Sequence, residues 1–111
     1  MAFQEKQLAQ ARENSTNAVS VYSPAASTTG IIKSITVCNQ TAGAVTYRIF
    51  LDDDGTTFDE STALYFDIAL PANTTDLLDV HWGMDNSSGN LAYRSNTANA
   101  ITITVFGVEV T

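Results

Sequence analysis

The sequence predicts an all-β fold: a single antiparallel β-sandwich, immunoglobulin-like or jelly-roll, with about seven strands and an N-terminal arm. Three observations carry this prediction. Apolar residues recur at every second position, most cleanly where Val45, Tyr47, Ile49 and Leu51 alternate with Thr46, Arg48 and Phe50. The runs are short and are separated by clusters of Gly, Pro, Asn and Ser, which favour turns. No segment between two runs has the apolar period of a crossover helix, so a parallel βαβ sheet is not expected.

Residues 1–17 are set apart from the domain at 18–111. They mix Glu5, Lys6, Arg12 and Glu13 with Gln and Ala, and Phe3, Leu8 and Ala11 form no clean helical face. The segment reads as an extended arm or a short helix, ordered by a neighbour, with Phe3, Leu8 and Arg12 as interface candidates. Val19 to Tyr22 is a short strand stopped at Ser23-Pro24. Ile31 to Asn39 is a strand with Ile31, Ile35 and Val37 on one parity; Lys33 interrupts that face and predicts a bulge or an edge. After Val45 to Leu51 comes the loop Asp52 to Ser61. Ala63 to Leu70 places Leu64, Phe66, Ile68 and Leu70 on one face. Thr74 to Val80 is a weaker strand, and Leu91 to Arg94 a short one. The last strand begins with Ile101, Ile103 and Val105, and its apolar parity shifts at Phe106-Gly107, which predicts a bulge at Gly107.

Composition narrows the function. The chain has 111 residues and a mass of 11.9 kDa, room for one domain. Its charge of -7 comes from 12 acidic and 5 basic residues. Five of those acidic residues lie between Asp52 and Glu60, so the rest of the chain is close to neutral. The basic residues are scattered, which argues against a protein that neutralises nucleic-acid phosphates. A single cysteine, Cys38, forms no intrachain disulfide and no cysteine-built zinc site. No apolar run approaches the roughly 20 residues of a membrane span, and the first residues lack the apolar core of a signal peptide. Synthesis in a reducing cytoplasm is expected, with neither nucleic acid nor membrane as partner.

Two places hold candidate chemistry. Asp52, Asp54 and Asp59 are hard oxygen donors around Gly55 and are candidate calcium ligands. An EF-hand register fails, because it puts the first ligand on Phe50 and the last on Ser61. The alternative is a solvated hairpin loop that binds no ion, and no other cofactor is expected. His81 stands beside Trp82 and near Asp79 and Asp85, yet no nucleophile motif accompanies it, so an enzyme is not expected. Trp82 is either a core cap or an interface anchor. Together with Tyr22, Tyr47, Tyr65 or Tyr93 it also permits a carbohydrate-binding module that stacks sugars on aromatic rings.

The segments Ala18-Val-Ser-Val-Tyr-Ser-Pro-Ala25, Ile31-Ile-Lys-Ser-Ile-Thr-Val-Cys-Asn39, Tyr47-Arg-Ile-Phe-Leu-Asp-Asp-Asp-Gly-Thr-Thr-Phe-Asp59, Gly89-Asn-Leu-Ala-Tyr-Arg94 and Ile101-Thr-Ile-Thr-Val-Phe-Gly-Val-Glu109, behind a Gln/Ala-rich arm, carry a resemblance. Over nearly its whole length the chain resembles small β-sandwich structural proteins of tailed bacteriophages. The resemblance implies a non-enzymatic virion component made in the host cytoplasm and present as a homo-oligomer, with a trimer expected. The implied partners are further copies and a major capsid protein or tail proteins. The leading expectation is a capsid decoration (cement) protein that braces capsomers. A tail, neck or fibre-base component is the alternative. The resemblance assigns no site residues.

Overall fold

The computed structural model describes residues 2–111. Eight strands follow in order: β1 (Phe3–Ala11), β2 (Val19–Tyr22), β3 (Thr29–Asn39), β4 (Val45–Asp52), β5 (Ala63–Leu70), β6 (Thr75–Met84), β7 (Asn90–Ser95) and β8 (Ile101–Val110). They form two four-stranded antiparallel sheets, ordered β1-β8-β3-β6 and β2-β7-β4-β5. An immunoglobulin-like domain builds its sheets largely from consecutive strands. Here only β4 and β5 are consecutive in the chain and adjacent in a sheet, and every other connection crosses between the sheets. That is the eight-stranded jelly roll. It decides between the two architectures left open by the sequence.

The eighth strand comes from the segment expected to be an arm or short helix. Residues 3–11 form β1, paired along β8 from Phe3 opposite Val110 to Ala11 opposite Ile103. The physical reason is the long edge of β8, whose backbone groups need partners. The apolar alternation of β1 is faint because most of its residues remain exposed, and only Leu8, Ala9 and Ala11 pack against the core.

The core lies between the sheets. Ile32, Ile35, Val37, Ile101, Ile103 and Val105 face Tyr22, Val45, Tyr47, Ile49, Leu70, Leu91 and Tyr93. Each fully buried aliphatic side chain of this kind contributes roughly 1.5–3 kcal/mol. Three tyrosines on the second sheet also reach polar partners. Tyr22 donates its hydroxyl to Glu109 at 2.8 Å, and Tyr47 donates to Asp76 at 2.8 Å. The Tyr93 hydroxyl accepts the Glu13 backbone N–H at 2.9 Å. Each ring thus fills the core while its polar tip is satisfied.

A line of irregularity crosses the first sheet. At Phe106 and Gly107, β8 runs without an extra residue, while Leu8 is extra in β1 and Lys33 is extra in β3. Between β3 and β6 the offset grows again, with Val80 and His81 standing against Lys33 alone. The bulge expected at Lys33 is present. The bulge expected at Gly107 is at the right level but on the neighbouring strands. Gly107 is what permits it: a Cβ there would lie 1.9 Å from the Ile31 carbonyl oxygen and 3.0 Å from Leu8. The bulge also reverses parity in β3, so that Ile32, not Ile31, enters the core.

A second correction falls on β5. Its pairing with β4 slips twice, leaving Leu64 extra and turning Tyr65 inward, while Ile68 and Leu70 keep the inward side expected of them. Leu64 and Phe66, expected on the buried face, are exposed. Asp67 sits in the left-handed region at φ 52°, which Asp tolerates better than most residues.

Candidate functional site

The acidic loop between β4 and β5 is tied down from within. Asp52 is buried, and its two carboxylate oxygens accept the backbone N–H groups of Asp54 at 3.2 Å and Thr57 at 2.8 Å. The Thr57 bond, and then that from Asp54, hold this carboxyl below its ordinary range. Asp59 likewise accepts the Ser61 backbone N–H at 2.8 Å and the Ser61 hydroxyl, which lower its pKa. The Asp54 side chain is exposed. Asp52 and Asp59 therefore each hold a turn of the loop, and the Asp54 side chain holds neither. Among the described residues no three His, Cys, Asp or Glu side chains are grouped to hold a metal ion. Spacing does not distinguish the two readings, because an Asp that caps its own loop and an Asp that ligates an ion look identical in sequence.

The loop folds back onto the outer face of the second sheet. Phe58 meets Phe50 with ring centroids 6.2 Å apart, and Phe50 is buried although it points away from the core between the sheets. Asn90 donates to the Gly55 carbonyl at 2.7 Å. Farther along the same face, Arg48 grips Asp67 through two nitrogens at 2.6 and 3.0 Å, and its guanidinium lies 3.8 Å from the centre of the Phe66 ring. These contacts cover part of the outside of this sheet, where Leu64 and Phe66 stay 46% and 39% exposed.

The outside of the first sheet is bare. Register puts Phe3 beside Val110, Glu5 beside Val108, and Gln7 beside Phe106 on that face. Phe3, Phe106 and Leu77 are exposed there, Phe3 by 72% and Leu77 by 64%. The bulge line opens a shallow groove of about 260 Å³ bordered by Glu5, Gln7, Lys33, Ser34 and Phe106. Phe106 and Leu77 were not singled out in the sequence. Nothing in their sequence neighbours marks them, since Phe106 follows Val105 and Leu77 precedes Leu78.

The remaining interface candidates fall in different places. Phe3 stands on the bare face, while Leu8 packs against the core beside Gly107. Arg12 is exposed and donates through Nε to the Asn99 carbonyl at 3.2 Å. Trp82 turns inward, packs against the core and meets Tyr65 with ring centroids 6.1 Å apart. It closes the gap between the edge strands β5 and β6. Tyr22, Tyr47 and Tyr93 are buried, so they form no stacking platform for sugars. His81 is exposed on β6. At one end of the fold, Lys6 and Tyr22 converge on Glu109, with Lys6 Nζ at 2.8 Å, and together they lower its pKa. Burial chiefly, with the Glu109 bond behind it, pushes the Tyr22 phenol far up.

No protein-family description matches the chain, and no curated protein matches it. Among the solved structures similar to the chain are three of infectious bursal disease virus. One is a chain of the crystallised T13 viral particle, with a TM-score of 0.56, 12% identity, and coverage of 97% of this chain and 30% of that one. Structures of the Gx strain (TM-score 0.45, 11% identity, 97% and 30% coverage) and the Gt strain (TM-score 0.48, 13% identity, 97% and 32% coverage) are more distant. The chain thus spans about a third of the length of the chains it matches. At this identity the T13 particle chain shares the fold, the jelly roll derived above from strand order.

Proposed function

We propose that the chain is a non-enzymatic structural component of a virus particle. The observation that carries this reading is the complete jelly roll, matched across 97% of its length by a chain of a viral particle. The jelly roll also serves lectins and cupins. Those functions need a sugar platform or a metal cluster, whereas the inner tyrosines here are bonded to their own chain and the loop carboxylates to loop donors. The bare outer face, with Phe3, Phe106 and Leu77 beside a groove, supports contact with other subunits.

The finer reading rests on the resemblance to tailed-phage structural proteins. We place the chain on the outside of a phage head as a decoration protein. Its bare face meets the shell, and the acidic loop on the opposite sheet points into solvent. The loop carboxylates repel free copies and non-specific polyanions. Particles assembled without the chain are expected to lose genome at lower temperature and under milder osmotic shock than complete particles. Equal resistance would overturn the bracing role. Mass spectrometry of separated heads and tails decides between this reading and a tail, neck or fibre-base position.

A further inference from the structure

Strand β1 is the most exposed of the four edge strands. Like β2, β5 and β6 it has a single partner, here β8, but it leaves six of its nine residues exposed. Its packing on the core rests on Leu8, Ala9 and Ala11. Yet its register is closely specified. The extra residue Leu8 fits the level of Gly107, where Lys33 bulges on the other side, and Lys6 reaches Glu109 at 2.8 Å. Gln10 donates to the Thr104 hydroxyl at 3.0 Å. The β8 edge is therefore a slot shaped for one sequence, and that sequence is held by little apolar burial.

The connection has a defined hinge. Glu13 is pinned, with its N–H on the Tyr93 hydroxyl and its carbonyl accepting the Asn99 N–H at 2.9 Å. Between Glu13 and β2 the only side-chain hydrogen bond is local, from the Asn17 N–H to Ser15 Oγ at 3.3 Å. Asn14 to Ala18 contains neither Gly nor Pro and reaches roughly 3.3–3.6 Å per residue when extended. That is enough to carry β1 off its own body to an adjacent one.

We propose that β1 is an exchangeable strand: Phe3–Ala11 of one copy seats on the β8 edge of a second copy, in the same register and with the same Glu13 anchor. Exchange reproduces every contact of the closed chain, so hinge geometry and concentration set the balance. The inference concerns copies of this chain and stands apart from the virion role.

The test uses two full-length chains lacking Cys38, one Cys38→Ala with Gln10→Cys, the other Cys38→Ala with Thr104→Cys and a size tag. Directly opposed residues lie within disulfide reach. After joint unfolding, refolding and mild oxidation, a disulfide-linked heterodimer is expected, its yield rising with protein concentration. No heterodimer, with a chain carrying both cysteines closing on itself at every concentration, would overturn the proposal. Deleting Ser15 and Thr16 tightens the hinge and disfavours the closed form. Light scattering is then expected to show a shift to dimers or larger rings, and a persistent monomer would count equally against exchange.

Discussion

The two sheets have the same number of strands and opposite outsides. In the second sheet the central pair β4 and β7 runs without a slip, and slips are confined to its edge strands. Its outer face is partly covered, by Phe58 on Phe50 and by Arg48 on Phe66 and Asp67, with Leu64 left open. In the first sheet the irregularity passes through the central pair β3 and β8, and the outer face stays uncovered. The comparison separates two settings of exposed apolar side chains: on one sheet Phe58 and Arg48 pack onto neighbours of their own chain, and on the other Phe3 and Leu77 stand largely open.

The strongest way to break this contrast is at the bulge line. Gly107→Val sets a branched side chain against the Ile31 backbone, which has little freedom to retreat, and is expected to cost about 3 kcal/mol in denaturant unfolding. Gly43→Ala has open space and an ordinary φ, so it is expected to stay within about 0.5 kcal/mol of neutral. Next in size is the partial cover on the second sheet. Phe58→Ala uncovers Phe50 and is expected to lower stability by about 1–2 kcal/mol. Tyr47→Phe, which leaves Asp76 without its phenol donor, is expected to cost about 1 kcal/mol.

A smaller effect is read from pH. The carboxyl of Glu109 is lowered from 4.5 first by its bond to Lys6 and then by Tyr22. Its stabilising contribution is therefore complete above that ordinary value and is lost as pH falls through the lower folded value. Lys6→Met brings the two values closer, with the Tyr22 bond still lowering the folded one. The acid limb of a melting-temperature profile is then expected to flatten, and an unchanged limb would show that the latch contributes nothing. The smallest effect on folding belongs to the bare face. Leu77→Ser is expected to leave stability within about 0.5 kcal/mol while weakening assembly, measured by binding to particles that lack the chain.

Sequence periodicity revealed the class, most of the strands and the Lys33 bulge, because sandwich strands alternate wherever one face is buried. It failed where alternation is not required. Strand β1 hangs over an edge and needs only Leu8, Ala9 and Ala11 inward, so its nine residues looked like an arm. In β5 the slip at Phe66 and Asp67 inverted the expected faces only from Leu64 to Phe66, and Asp67 with its tolerance of positive φ was the one available clue. Strand order was illegible, since crossings between sheets and hairpins use turns of similar length. For the site, the acidic loop was visible as charge, but whether Asp52 faces an ion or its own backbone depends on side-chain direction. Phe106 and Leu77 became meaningful only when register put them on the same uncovered face as Phe3.

The most direct measurement of the proposed role is quantitative mass spectrometry of gradient-purified virus particles from the source of this chain. A structural component is expected in a fixed integer ratio to the principal shell protein, retained through repeated banding. Absence from the particles, or a variable trace that washes away, would contradict a structural role in the virion.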